Sequence, residues 1–497
     1  MKSKDVKPFS WKRSPQLRLS LEDEINIDNF AGGGGASMGF EIATGHSIDV
    51  AINHDPEAIA MHEANHPTTK HYMSDVFEVD PIEVCKGKPV GLAWFSPDCK
   101  HFSKAKGGKP VDKKVRGLAR VAIKWAELVK PRIIFLENVE EFQDWGPLLE
   151  NNKPCPIRKG LSFRRFVRDF EKLGYQVEWR ELRACDYGAP TIRKRLFLIA
   201  RCDGQPITWP EATHGKEKGL KPYNTAADCI DWTTPIHSIF LTKEDVKNKK
   251  LKIKRPLAEK TLTRIAKGMQ RYVINSDKPF IVPSFITEHA NGSNQRNMPT
   301  DEPLRTICAQ VKGGHFALVS AFLAKHYSGV VGHGVKQPIG TITSIDHHSL
   351  VSSHLLQLRN NQFGQDVNKP IPTLTAGGTH IGEIRAFLVK YYGTDQDPRL
   401  SEPMHTVTSR DRFGLVTVEG QDYQIADIGM RMLAPRELYR AQGFPDEYII
   451  NPTYNGKPLT KVAQVRMCGN SVSPVVAAAL IKANLVNANN VIRRAEC

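Results

Sequence analysis

A cysteine in Ser96-Pro97-Asp98-Cys99, a carboxylate in Glu137-Asn138-Val139 and two guanidinium groups in Thr191-Ile192-Arg193-Lys194-Arg195 are the side chains that covalent addition to a pyrimidine ring requires. The thiolate is the nucleophile, and it needs a lowered pKa or a nearby base. Lys100 and His101 favour the thiolate, whereas Asp98 opposes it. Glu137 can donate a proton to a ring nitrogen and neutralise the charge that develops during addition. Arg195 can donate to the ring carbonyl, Arg193 can brace the loop or meet a phosphate, and Asn138 can fix loop geometry. The competing reading is a buried structural cysteine and a solvated glutamate, the commoner state of either residue in isolation.

These groups need elements that bring them to one place. Val90 to Phe95 and Arg132 to Leu136 read as short buried strands, separated by a helix over Gly117 to Lys130 with apolar Leu118, Val121, Trp125 and Leu128. Strand, helix, strand makes the pair parallel, so Cys99 and Glu137 both leave the carboxyl edge of one sheet, where open α/β sheets bind ligands. Upstream, a strand at Ile25 and Ile27 runs into Phe30-Ala31-Gly32-Gly33-Gly34-Gly35-Ala36-Ser37, a glycine-rich turn opening a helix. Its spacing is not the dinucleotide fingerprint, since Ser37 stands where the third glycine belongs, and by itself such a turn reads equally as a plain loop. Phe163, Phe166, Val167, Phe170 and Leu173 mark an amphipathic helix stopped by Gly174, its aromatics read as core. Strands come next, around Gln176 to Leu182 and Arg195 to Ala200.

Taken together, the motifs resemble the DNA (cytosine-5) methyltransferase family, of bacterial or phage type. Phe30-Ala31-Gly32-x-Gly34-Gly35 is similar to the family's S-adenosylmethionine loop, Asp75-Val76 to its adenine-binding step, and Pro97-x-Cys99 with Phe102-Ser103 to its nucleophile loop. Glu137-Asn138-Val139 resembles the ENV motif, and Thr191-x-Arg193-x-Arg195 the Q-x-R-x-R motif with Thr in place of Gln. Arg436-Glu437-x-x-Arg440-x-Gln442-Gly443-Phe444-Pro445 and Gly469-Asn470-Ser471-Val472 resemble the last two motifs. The resemblance implies a Rossmann-like methyltransferase fold, S-adenosylmethionine as cofactor, duplex DNA as partner, and transfer of a methyl group to carbon 5 of an everted cytosine after Cys99 adds to carbon 6. It also implies cofactor contacts from Phe30, Gly32, Gly34, Gly35, Asp75, Pro97, Asn470 and Ser471. Asp98 and Lys100 depart from the usual residues beside the nucleophile. So does Asn53, which stands where an acidic residue usually holds the ribose but can still hydrogen-bond a hydroxyl.

The chain of 497 residues carries 69 basic against 53 acidic side chains, a formal charge of +16 that suits a polyanion. Lys100, Ser103, Lys104, Lys106, Lys109 and Lys113 come after the nucleophile and read as a phosphate-contacting lid, with a solvated basic loop as the alternative. A second run, Lys247, Lys249, Lys250, Lys252, Lys254 and Arg255, reads as a linker or as another phosphate-contacting edge. Nine cysteines with no C-x-x-C pair argue against a disulfide framework or a cysteine zinc site and for a reducing compartment. With no apolar run of spanning length, the expectation is a monomeric, cytoplasmic protein. His62-Glu63-Ala64-Asn65-His66 matches a zinc pattern, but Pro67 stops the helix and no third ligand is evident; the histidines read as surface residues.

Four segments are expected. Residues 1–20 form a basic arm, 21–200 the catalytic domain, 201–427 a β-rich region and 428–497 a segment that returns to complete the catalytic domain. The β-rich region holds an internal repeat, seen at Arg255-Pro256-Leu257, Pro303-Leu304-Arg305-Thr306, Pro338-Ile339-Gly340-Thr341, Pro370-Ile371-Pro372-Thr373 and Pro403-Met404-His405-Thr406. It reads as a target-recognition array. Two other functions fit: an RNA cytosine-5 methyltransferase and a catalytically idle DNA-binding protein.

Overall fold

The computed structural model describes residues 24–98, 117–151, 154–231, 234–235, 237–259, 262, 286–287, 297–298, 322–325, 348–357, 381–390, 415–418 and 421–486. Cys99, Lys100, Ser103, Lys104, Lys106, Lys109 and Lys113 lie outside these residues, as do four of the five repeat segments and the basic arm.

The first half of the chain alternates strand and helix. In order along it come β1 (Ile25–Asn29), α1 (Gly35–Thr44), β2 (Val50–Asn53), α2 (Pro56–Asn65), β3 (Lys70–Met73), α3 (Pro81–Cys85), β4 (Val90–Phe95), α4 (Val121–Leu128), β5 (Ile133–Asn138), α5 (Leu161–Lys172), β6 (Gln176–Arg183) and β7 (Lys194–Arg201). The seven strands form one sheet in the order β3-β2-β1-β4-β5-β7-β6. β3, β2, β1, β4 and β5 run parallel, and β7 lies antiparallel to both β5 and β6. The central strands are apolar on both faces because both are covered, which gives a doubly wound, Rossmann-like sheet. On one face Ile27, Phe95, Leu136, Trp125 and Phe166 pack together; on the other Trp94, Phe135, Phe197, Phe40 and Leu480 do.

Two expectations are corrected. The helix before β5 begins with a 3₁₀ turn at Leu118–Arg120, and Leu128, expected on its buried face, is 46% exposed. A turn at three residues per revolution rotates the succeeding residues away from a stripe counted at 3.6. His62 and His66, expected at the surface, are both completely buried. They turn inward because polar partners wait for them under the glycine turn. Among the described residues no group of His, Cys, Asp and Glu is arranged to hold a metal ion, and no helix is long and apolar enough to cross a membrane.

Residues 435–481 pack on the first sheet and its helices. α7 (Pro435–Ala441), α8 (Lys461–Asn470) and α9 (Pro474–Ile481) come after the long strand Gln421–Met432. α9 lies on α1 so closely that a Cβ on Gly39 would clash with Ala477 and the Pro474 carbonyl. The Gln421–Met432 strand belongs to a second, antiparallel sheet with His348–Gln357, Ile381–Lys390, Phe322–Lys325, Leu415–Val418 and the short β8 (His237–Ser238).

Candidate active site

Glu137 is the fifth residue of β5, on the same side of the strand as Ile133 and Phe135. In β7 the residues on that side are Arg195, Phe197 and Ile199, because side chains alternate with a period of two. The antiparallel register sets Glu137 opposite Phe197, so Arg195 stands one pleat nearer the sheet edge on the same face. Its Nε lies 3.1 Å from Glu137 Oε1, with Arg193 Nη2 at 3.9 Å. The ion-pair distance is short, yet Oε1 lacks an aligned hydrogen bond, so the pairing is a charge contact more than a directed bond. All three side chains are buried, at 4–9% exposure.

Asn138 points to the opposite face. Its Nδ2 donates to the Pro97 carbonyl at 3.2 Å, and its Oδ1 accepts from the Val139 amide at 2.9 Å. The residue after Glu137 thus clasps the start of the segment that leads to Cys99. Trp94 Nε1 donates to Ser96 Oγ at 2.9 Å and holds the same turn from β4. Arg193 serves as a brace: Nη1 donates to the Gly469 carbonyl at 3.3 Å, and its backbone amide donates to Thr191 Oγ1 at 3.2 Å. The threonine that replaces glutamine is fully buried and does local backbone work.

The glycine turn crosses the end of β1. Phe30 adopts φ 62°, uncommon for a bulky residue, and packs its ring on the first core. Gly34 caps α1 at φ 84° with no side-chain cap, and no acidic residue sits in the first turn, so the helix start carries uncompensated positive character. The glycines divide by cause. A Cβ on Gly35 would collide with Ser471 and the Val472 carbonyl, and one on Gly34 with the Tyr448 hydroxyl, so both are pinned by the chain's own C-terminal segment. Gly32 has only the Phe30 carbonyl near, at 3.7 Å, so it is open on that side, while its φ of +52° would strain any side chain placed there.

A polar layer lies beneath this turn. Ser37 Oγ donates to Asp28 Oδ2 at 2.7 Å, His62 Nε2 is 2.9 Å from Ser37 Oγ, and His62 Nδ1 is 2.8 Å from His71 Nε2. His66 Nδ1 lies 3.0 Å from Glu41 Oε2. Burial pushes the Asp28 carboxyl up to about 7 and holds His62 well below its usual range, with His66 and His71 adding to the latter. Asp28 Oδ1 and both amide atoms of Asn29 are buried without a hydrogen-bond partner, which leaves unspent polar capacity at the foot of the turn.

The remaining cofactor candidates line the same edge. Asn53 ends β2, and its Oδ1 accepts from the Asp55 amide at 2.8 Å. Asp55 caps α2 and is paired, like Glu57, with Arg466 of α8, which lowers the Asp55 pKa against its burial. Asp75 accepts from the Phe77 amide at 3.0 Å, Ser471 is buried, and Asn470 is exposed. Tyr448 and Arg466 escaped the sequence reading, as did the buried roles of Ser37, His62 and His66. The H-E-x-x-H spacing was visible, but nothing local showed which way its histidines face.

The family model described as C-5 cytosine-specific DNA methylase matches residues 26–485. The Type II methyltransferase M1.HphI of Haemophilus parahaemolyticus is 29% identical over 209 residues, 41% of this chain and 51% of that protein. M.BspRI of Lysinibacillus sphaericus is 30% identical over 236 residues, 42% of this chain and 52% of its own. M.AquIA of Picosynechococcus is 28% identical over 230 residues, 42% of this chain and 88% of its own. The chain thus spans about half the length of the first two relatives.

Proposed function

The chain belongs to the C-5 cytosine-specific DNA methylase family, and from that premise we propose that it methylates carbon 5 of cytosine in duplex DNA through transient addition of Cys99 to carbon 6 of an everted base. One observation supports this most: Pro97, Glu137, Asn138 and Arg195 converge where the carboxyl ends of β4 and β5 meet the amino end of β7.

S-adenosylmethionine, when bound, supplies an electrophilic methyl group. The site's own features suit it: an open Gly32, an uncapped helix start and orphaned polar atoms at the end of β1. Phe30, Gly32, Gly34 and Gly35 would offer backbone, while Asn53, Asp75, Asn470 and Ser471 would offer polar atoms around the remainder. In this reading Asn138 holds the base of the nucleophile segment so that the Cys99 thiolate meets carbon 6. Glu137 hydrogen-bonds ring N3, and Arg195 both orients Glu137 and donates to O2. Arg193 keeps the Gly469–Ser471 turn in place. A water or a side-chain base then takes the carbon-5 proton, and the electron pair left behind restores the 5–6 double bond and expels Cys99 as thiolate. Lys100, Ser103, Lys104, Lys106, Lys109 and Lys113 would contact phosphates, and residues 201–427 would read the target, with the repeats as its units.

The test uses labelled methyl donor, duplex DNA and matched RNA. Transfer to DNA cytosine, loss of transfer in Cys99→Ala, and a covalent adduct with 5-fluorocytosine duplex are expected. A duplex methylated normally by the Cys99→Ala protein would overturn the reading.

A further inference from the structure

The lysine run after residue 242 is built as a rigid lobe. α6 (Lys243–Asn248) opens on a reciprocal capping box: Asp245 N donates to Thr242 Oγ1 at 3.1 Å, and Thr242 N donates to Asp245 Oδ2 at 2.8 Å. The chain then folds back at Lys250, whose φ is 50°, with Lys250 N donating to Lys247 O and Leu251 N to Val246 O. Arg255 closes the lobe. It is 6% exposed, faces no carboxylate among the described residues, and spends its donors on four backbone carbonyls: Ser238 at 2.9 Å, Lys254 at 3.0 Å, His237 at 3.2 Å and Met430 at 3.3 Å. β8 meanwhile pairs with Gly429 and Met430, next to Arg431, whose buried pairing with Glu437 anchors α7.

A buried guanidinium without a counter-ion is an expensive clamp for a stretch that only had to span a gap. Beyond that clamp, Lys243, Lys247, Lys249, Lys250, Lys252 and Lys254 are all exposed, and among the described residues none has a carboxylate within ion-pair distance. The two acids of the helix are Glu244 and Asp245, and Asp245 is committed to the cap. Six like charges on one small, fixed lobe repel each other and are relieved by a polyanion of fixed shape. We propose that the Thr242–Lys254 lobe is a phosphate-contacting face for duplex DNA, distinct in sequence from the basic run after Cys99 and rooted where the second sheet joins α7. The proposal rests on the functional reading above. Its contacts are with the DNA backbone, so it adds affinity and orientation without choosing a base sequence.

The test is the salt dependence of duplex binding by the full-length protein loaded with S-adenosylhomocysteine. The quadruple variant Lys247→Gln, Lys249→Gln, Lys250→Gln, Lys252→Gln should flatten the plot of log affinity against log salt by about 0.9 for each phosphate no longer neutralised, hence by roughly 2 to 4. Cofactor affinity should stay at the wild-type value. The control, Lys86→Gln with Lys88→Gln, removes exposed lysines just before β4, at the amino edge of the first sheet, and should leave the slope unchanged. An unchanged slope in the quadruple variant, or an equal change per lysine in the control, overturns the proposal while leaving the methyltransferase reading intact. A wild-type protein that neither binds nor methylates duplex DNA overturns the functional reading instead.

Discussion

Tyr448 donates its hydroxyl to the Gly33 carbonyl at 2.7 Å, and the same hydroxyl fills the space that a Cβ on Gly34 would need. One side chain from near the chain end therefore both orients the glycine turn and forbids substitution in it. Gly34→Ala should lower the melting temperature by several degrees and weaken S-adenosylmethionine binding at least tenfold. Adding Tyr448→Phe removes the clashing atom, so the double variant should be less damaged than the two single effects added together. Calorimetry of the three variants checks this, and strict additivity would refute it.

Glu137→Gln keeps the shape but replaces the carboxylate beside Arg195 by a neutral amide. If Glu137 manages the proton at ring N3, the methylation rate should fall by about 10²-fold or more, the usual scale for a positioned proton donor. Binding of duplex and cofactor should change little, as single-turnover rates and titrations on the same preparation would show.

Asp28 and His62 make opposite contributions to stability with pH. Asp28, raised from 3.8 to about 7, holds a proton in the folded chain that the unfolded chain releases, so its contribution is lost as pH rises from about 4 to 7. His62, held below 6.5, stays neutral in the folded chain while the unfolded chain protonates, so its contribution is lost as pH falls below about 6.5. Below about pH 6.5 the two slopes oppose one another. Asp28→Asn deletes one of them, so stability should decline more steeply below about pH 6.5 than it does in wild type. Urea unfolding at a series of pH values reads the difference directly. Parallel curves for the two proteins would show that Asp28 is not the compensating group.

The buried Arg431–Glu437 pair at 2.9 Å ties α7 to the loop at Asp231: Glu437 accepts from the Asp231 amide, and Arg431 donates to the Asp231 carbonyl. Glu437→Ala strands the guanidinium and should cost about 3–5 kcal/mol. Arg431→Met with Glu437→Leu, which removes both charges, should recover much of that. Chemical denaturation of both variants distinguishes a buried charge left alone from a simple loss of packing.

Much of the candidate site's geometry was legible in the sequence, for identifiable reasons. Glu137 and Arg195 announce themselves because a strand's two-residue alternation carries a motif residue to a fixed face, and apolar runs marked the strands. The brace from Asn138 to Pro97 arises because two parallel neighbours end together. The reason for Gly34 and Gly35 was hidden, since the atoms that crowd them belong to Tyr448, Ser471 and Val472. Sequence proximity suggested a ligand; packing across the whole chain supplies a second cause. The burial of His62 and His66 was hidden likewise, because partners as distant as Asp28 and Ser37 decide it, and no spacing within α2 encodes them.

The lodging of Ser471, Val472 and α9 against Gly35 and Gly39 has a consequence for biosynthesis. A ribosome delivers the glycine turn long before Ser471, Val472 and α9, so the nascent polypeptide carries an unsupported turn until that wall is made. Products terminated before Ser471 would lack that wall altogether.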